Sequence, residues 1–125
     1  NSGALDNTPN DGVTANDDNA ATVTLDVNGS AAVNIGEINT TDDDVDAVVI
    51  NNNGTGDLTV GINGANVDAG DAITFNGSAT GVDTISIEGT LDLSDDTLND
   101  VDVLLMDNAA GTVTLTVTQA QFNAI

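Results

Sequence analysis

Three stretches of this chain open in the same way. Gly81 to Ile87 reads Gly-Val-Asp-Thr-Ile-Ser-Ile, Asp44 to Ile50 reads Asp-Val-Asp-Ala-Val-Val-Ile, and Asp100 to Met106 reads Asp-Val-Asp-Val-Leu-Leu-Met. Each is a small or acidic residue, then Val-Asp, then a short apolar run. After a turn, a second short strand follows each copy: Asp57 to Val60, Leu91-Asp92-Leu93, and Val113 to Val117. A looser relative, Val67-Asp68, precedes Ala72-Ile73-Thr74-Phe75. A strand–turn–strand unit recurring at roughly 20 residues cannot bury its apolar face alone and buries it by stacking on its neighbours. The expected fold is therefore all-β, a short parallel β-solenoid or β-roll-like stack. The starts Val45, Val67, Val82 and Val101 are 22, 15 and 19 residues apart, and with the Val23 region they make about five coils. An antiparallel β-sandwich of seven or eight short strands fits the same segments and stays open as the alternative.

Periodicity divides the chain into two parts. Residues 1–20 carry the single proline, Pro9, and show no sustained period. They read as an extended N-terminal arm or linker. Residues 21–125 read as one β domain. Ala21 to Val27 alternates strictly, with Val23, Leu25 and Val27 on one face, the pattern of a half-buried strand. Ala31 to Ile38 is a second strand, broken or bulged at Gly36. Asn28-Gly29, Asn53-Gly54, Asn63-Gly64 and Asn76-Gly77 mark turns. Thr112 to Thr118 is the cleanest strand, with Val113, Leu115 and Val117 inward. Leu91 to Leu105 has some apolar residues at helical spacing, but its Asp, Thr and Ser content argues against a helix. Gln119 to Ile125 caps the last turn or forms one short helical turn.

Charge sets the chemistry. The 125 residues include no Lys, Arg or His against 19 Asp and 2 Glu, a formal net charge of −21. Such a chain repels nucleic acid and anionic lipid, and its natural partners are cations. High charge with few aromatics is one signature of disorder. Here the ordered alternation and an apolar share of 39% oppose it. Without His, Cys, Lys, Arg, Tyr or Trp there is no Ser/His/Asp triad, thiol nucleophile, Schiff base or histidine-ligated zinc. Two-carboxylate catalysis needs a lined substrate site, and Phe75 and Phe122 are the only aromatics. Asp83-Thr84-Ile85 lacks the glycine of the aspartic protease motif. The expectation is a protein that is not an enzyme. No apolar run approaches 18 residues, so no membrane insertion is expected, and no signal peptide is present. If secreted, the chain is a mature form or an internal segment.

Carboxylate clusters are the one positive chemical signal. They fall at Asp17-Asp18, at Asp42-Asp43-Asp44 with Asp46, at Asp95-Asp96, and at Asp100 with Asp102. Hard oxygen ligands on turns, beside backbone carbonyls, suit Ca²⁺. Asp42, Asp44, Asp46, Asp95, Asp96, Asp100 and Asp102 are the candidate ligands of a structural calcium. Solvated acidic turns would give the same pattern. The Asp-x-Asp spacing places Asp44 with Asp46, and Asp100 with Asp102, on one side of a strand, where stacking brings them near the next coil's acids. Four Asn-x-Ser/Thr sequons, at Asn28, Asn39, Asn53 and Asn76, lie on expected turns. Chance in an Asn- and Thr-rich chain is the plain reading; glycosylation is the sharper one.

The Val82-Asp83-Thr84-Ile85-Ser86-Ile87 unit, the following Gly89-Thr90-Leu91-Asp92-Leu93-Ser94 and the closing Thr112 to Phe122 resemble the repeat-rich regions of large microbial surface proteins. These are the giant adhesins, the S-layer proteins and relatives of the calcium-binding RTX β-rolls. The resemblance covers residues 21–125 and lies in style and composition; the RTX nonapeptide Gly-Gly-x-Gly-x-Asp is absent. It implies an extracellular or cell-surface, non-catalytic, self-assembling and often calcium-dependent protein.

Assembly has its own signal. Ala21-Thr22-Val23-Thr24-Leu25 and Gly111-Thr112-Val113-Thr114-Leu115 are nearly the same strand near opposite ends of the chain. Strand edges are usually blunted by Lys, Pro or bulges. This chain has no Lys, and Pro9 lies outside both strands. Thr22, Val23, Leu25, Val113, Leu115 and Val117 are the candidate assembly residues, for head-to-tail pairing of copies into a homopolymer. The expected role is a structural subunit of an extracellular filament, surface layer or matrix. The alternative is a calcium-dependent adhesin repeat or binding module.

Overall fold

A computed structural model describes residues 4–7, 13–16, 21–40, 45–68, 70–107 and 111–125. Twelve strands and one helical turn follow in chain order: β1 (Ala4–Asn7), β2 (Val13–Asn16), β3 (Ala21–Val27), β4 (Val33–Asn39), β5 (Val45–Asn52), β6 (Leu58–Asn63), β7 (Ala72–Asn76), β8 (Asp83–Glu88), β9 (Thr90–Asp92), β10 (Thr97–Asn99), β11 (Val103–Met106), β12 (Thr114–Thr116) and α1 (Gln119–Phe122). The chain winds as a β-solenoid of about three turns. One face carries β3, β5, β7 and β10, all parallel. The other carries β4, β6, β8 and β11, also parallel. A short third face pairs β9 with β12. The stack is parallel, so the sandwich alternative does not hold. The two pieces of the N-terminal segment are strands as well: β1 and β2 form an antiparallel pair, and β2 lies parallel to the end of β4, opposite Ile38 and Asn39.

The winding period is longer and more regular than the Val-Asp copies suggest. Side-chain bonds between adjacent turns join residues 25 apart, shortening to 23 on the β10 face and 19 at β11. The Val-Asp copies miss this because they mark strand entry, and strands enter on both faces. Val45 begins β5 on one face, whereas Asp83 begins β8 on the other. The unit near Asp100 stacks on the unit near Asp83, with Val103 beside Thr84. The unit near Asp44 is not its equivalent.

Period-2 alternation puts one side of every strand inward. Columns of apolar side chains then lie between the two faces. Leu25, Ile50, Phe75 and Leu98 make one column, and Ile35, Val60, Ile85 and Leu104 another. The middle turns are sealed: Ile50, Leu58, Val60, Phe75, Ile85 and Ile87 are fully buried. The terminal turns are not, and Val23, Leu25, Val27, Leu104 and Leu115 are half-buried. Turn corners approach so closely that a side chain has no room. A Cβ on Gly54 would sit 2.2 Å from the Gly29 carbonyl oxygen. At Asn28-Gly29 the left-handed φ of 123° is the requirement, as expected for a tight turn.

Gln119–Phe122 does form one helical turn, held by a capping box. The Gln121 amide donates to Thr118 Oγ1 at 3.1 Å, and the Thr118 amide donates to Gln121 Oε1 at 2.7 Å. Gln121 Nε2 also donates to the carbonyls of Leu93 and Asp96. That ties the C-terminal segment across the third face.

Candidate functional site

A chain without cations must satisfy its carboxylates in another way, and this one does so with N–H groups of the adjoining turn. Asp57 Oδ1 accepts the Val82 amide at 2.9 Å, Asp96 Oδ1 the Ile73 amide at 2.7 Å, and Asp102 Oδ2 the Asp83 amide at 2.8 Å. Asp83 goes furthest, with no exposed surface. Its Oδ1 accepts from Asn52 Nδ2 at 2.8 Å and from the Leu58 amide at 3.2 Å, and its Oδ2 accepts from the Ser78 amide. The bonds from Val82, Ile73, Asp83 and Leu58 each join neighbouring turns, and Asp83 gathers three segments at one corner.

A second device runs along the β3–β10 face. Asn51 Nδ2 donates to Asp26 Oδ1 at 2.8 Å, Asn76 Nδ2 to Asn51 Oδ1 at 2.8 Å, and Asn99 Nδ2 to Asn76 Oδ1 at 2.7 Å. Asn53 Nδ2 also reaches Asp26 Oδ1, at 3.3 Å. This ladder has a direction. Each amide donates toward the N-terminal end of the stack, where a carboxylate receives the last bond.

The expected metal ligands are scattered over this frame. Asp42 and Asp44 lie outside the described residues. Asp46 is exposed on β5, Asp95 and Asp96 lie on the turn between β9 and β10, and Asp102 precedes β11. Asp100 occupies a left-handed corner at φ 50°, so it shares no strand face with Asp102. Among the described residues no three acidic groups are gathered as a metal-holding set. The sequon residues Asn28 and Asn53 are exposed, while Asn39 and Asn76 are half-buried. Asp83, Asp26 and the ladder asparagines escaped the sequence reading. Their signals were there: Asp83 shares the parity of Ile85 and Ile87, and Asn51 stands 25 residues before Asn76.

A concavity of about 420 Å³ lies between the corner formed by Gly64, Val67, Asp68 and Gly70–Ala72 and the segment 90–96. Asp68, Asp71, Asp92, Asp95 and Asp96 line it. Asp71 Oδ2 is buried there with no hydrogen-bond partner. Burial holds the Asp96 carboxyl above the usual carboxylate range, against the pull of the Ile73 amide and with the charges of Asp95 and Asp92 adding to the rise. The Ser94 hydroxyl and amide hold exposed Asp92 below it. The folded chain therefore keeps a proton on Asp96 to higher pH than the unfolded chain does. Ionising Asp96 costs stability above that folded pKa, and the cost vanishes below the unfolded value. Asp96→Asn keeps the acceptor for Ile73 and removes the charge. It should raise the urea midpoint at pH 7, by a small margin because the group is half exposed, and should match the parent at pH 3. Asp92 has the opposite sign: its contribution is present above the unfolded pKa and is lost as pH falls through the lowered folded one.

The β3 and β12 assembly residues sit at opposite ends of the stack but on different faces. Thr22 is exposed; Val23, Leu25, Val113, Leu115 and Val117 are half-buried. Among the described residues β3 pairs only with β5, β10 only with β7, β11 only with β8, and β12 only with β9. No helix among them is long and apolar enough to cross a membrane. No family model, curated protein or solved structure matches the chain.

Proposed function

We propose that this protein is a non-catalytic structural subunit of an extracellular filament, surface layer or matrix, and that copies join through pairing of strand edges. One observation carries the reading. Among the described residues the parallel stack ends in strands with no outer neighbour, β3 at one end and β10, β11 and β12 at the other, with half-buried core residues behind them, while β2 covers part of β4. Such edges are templates for another chain, and no Lys guards them. Heterologous end-to-end contacts that do not close give fibres.

Each copy carries a charge of −21, so cations have to screen the approach. At 0.15 M salt the screening length is about 8 Å, close to two strand spacings, whereas at 0.01 M it is about 30 Å. Divalent cations, calcium among them, act here as counter-ions between copies. Negative-stain images and sedimentation should show fibres or sheets in calcium chloride or in sodium chloride of matched ionic strength, and monomers in low salt with chelator. Monomers under all three conditions would refute the reading. The acidic cavity with its unpartnered Asp71 oxygen favours a second reading, a calcium-dependent adhesin module. Saturable calcium binding by a chain that never assembles would select it.

A further inference from the structure

We propose that the docking surface between copies is the β3 edge of one molecule against the β10 edge of the next, in the register that continues the existing sheet. This rests on the assembly reading above and names its partner strands. β3 and β10 are the two outer strands of one four-stranded parallel sheet. Its columns run Thr24–Val49–Thr74–Thr97, Leu25–Ile50–Phe75–Leu98 and Asp26–Asn51–Asn76–Asn99. A second copy added beyond β10 places Thr24 on Thr97, Leu25 on Leu98 and Asp26 on Asn99. Threonine thus meets threonine outside and leucine meets leucine inside. The β12 edge offers no such match, because β3 belongs to a different face.

The opposite face continues in the same register where its outer strands leave room. Continuing its columns sets Leu104 on Ile35 and Met106 on Ile38. Among the described residues the β1–β2 pair lies outside β4, with β2 opposite Ile38 and Asn39, so this pair has to move aside where Met106 meets Ile38.

Position 26 is where the junction departs from the pattern within the molecule. Inside the stack every ladder bond has an amide N–H donating to the oxygen of the turn before it. At the junction the Asn99 oxygen faces the Asp26 carboxylate, which has no proton to give. Asp26 therefore weakens the contact and keeps it dependent on cations. Asparagine at position 26 would continue the ladder across copies.

The chain has no cysteine, which makes the register directly testable. Thr24 and Thr97 are exposed, and within one molecule they stand three strand spacings apart, about 14 Å, too far for a disulfide. The double variant Thr24→Cys, Thr97→Cys, oxidised under assembling salt, should give a ladder of covalent multimers on a non-reducing gel. Thr22→Cys with Thr97→Cys, two residues out of register, should give few. Asp26→Asn should lower the protein concentration needed for assembly by about three- to tenfold, the worth of one added hydrogen bond. Asp46→Asn removes a charge away from the junction and should change it far less. Assembly of the parent and of the Thr24→Cys, Thr97→Cys variant with no 24–97 cross-links in the latter, or equal effects of the two Asp→Asn changes, overturns this inference and leaves the assembly reading standing. A parent that never assembles removes both.

Discussion

Asp83→Ala is expected to destabilise the protein by about 2–5 kcal/mol, a large share of the roughly 5–15 kcal/mol available to a domain. The change removes the acceptor of three buried donors at once: the Leu58 and Ser78 amides are stranded, and Asn52 Nδ2 keeps only the Gly56 carbonyl, at 3.0 Å. A buried donor left without an acceptor costs about 1–3 kcal/mol. These three belong to three segments, the end of β5, the start of β6 and the corner before β8, so no single shift can satisfy them all. A water entering the space would bring the loss toward the lower end. Removing one negative charge from a chain at −21 acts the other way, because it relieves repulsion.

Asp57→Ala is the matched control. Asp57 also accepts an amide of the adjoining turn, that of Val82, but in an exposed setting. Water replaces that acceptor, and the cost should stay under about 1 kcal/mol. Urea unfolding of the two variants in high salt makes the comparison with charge effects suppressed. Equal midpoints for Asp57→Ala and Asp83→Ala would show that the buried carboxylate does not hold the corner together.

Architecture was legible in the sequence because it rests on period-2 alternation, a local signal. Val23, Leu25 and Val27, and Val113, Leu115 and Val117, face inward as their spacing requires. For Gln119 to Ile125 the sequence left a cap and a helical turn both open, and the Thr118–Gln121 capping box decides for the helical turn. The true period was not. Stacking equivalence depends on which face a strand joins, and the Val-Asp motif recurs on both. Neighbours across turns share chemistry more than identity: Leu25, Ile50 and Phe75 are one column with three residue types. The site was less legible still. A run of aspartates looks like a cation site when read along the chain. In the fold, Asp96 and Asp102 each accept an amide of the adjoining turn. Backbone donors carry no sequence signature, so their role emerged only with the register.

Phe75→Ala is expected to cost about 3–5 kcal/mol, while Phe122→Ala should stay within about 0.5 kcal/mol of the parent. The two aromatics are indistinguishable by composition and opposite in setting. Phe75 has no exposed surface and lies between Ile50 and Leu98 in the central column. Phe122, in α1, is 65% exposed. Truncating Phe75 removes the apolar contact and leaves a void. That void cannot close easily, because ladder hydrogen bonds hold the flanking strands about 4.8 Å apart on each side. The loss should therefore sit in the upper half of its range. In a solenoid each turn is stabilised by its neighbours, so a gap in the third strand of the face also loosens β10 behind it. Phe75→Ala should accordingly expose Leu98 and the β10 edge first, read as faster amide exchange at Thr97–Asn99 than at β5. A variant that unfolds within 1 kcal/mol of the parent, or that protects β10 as well as β5, would mean that the central column does not carry the stack.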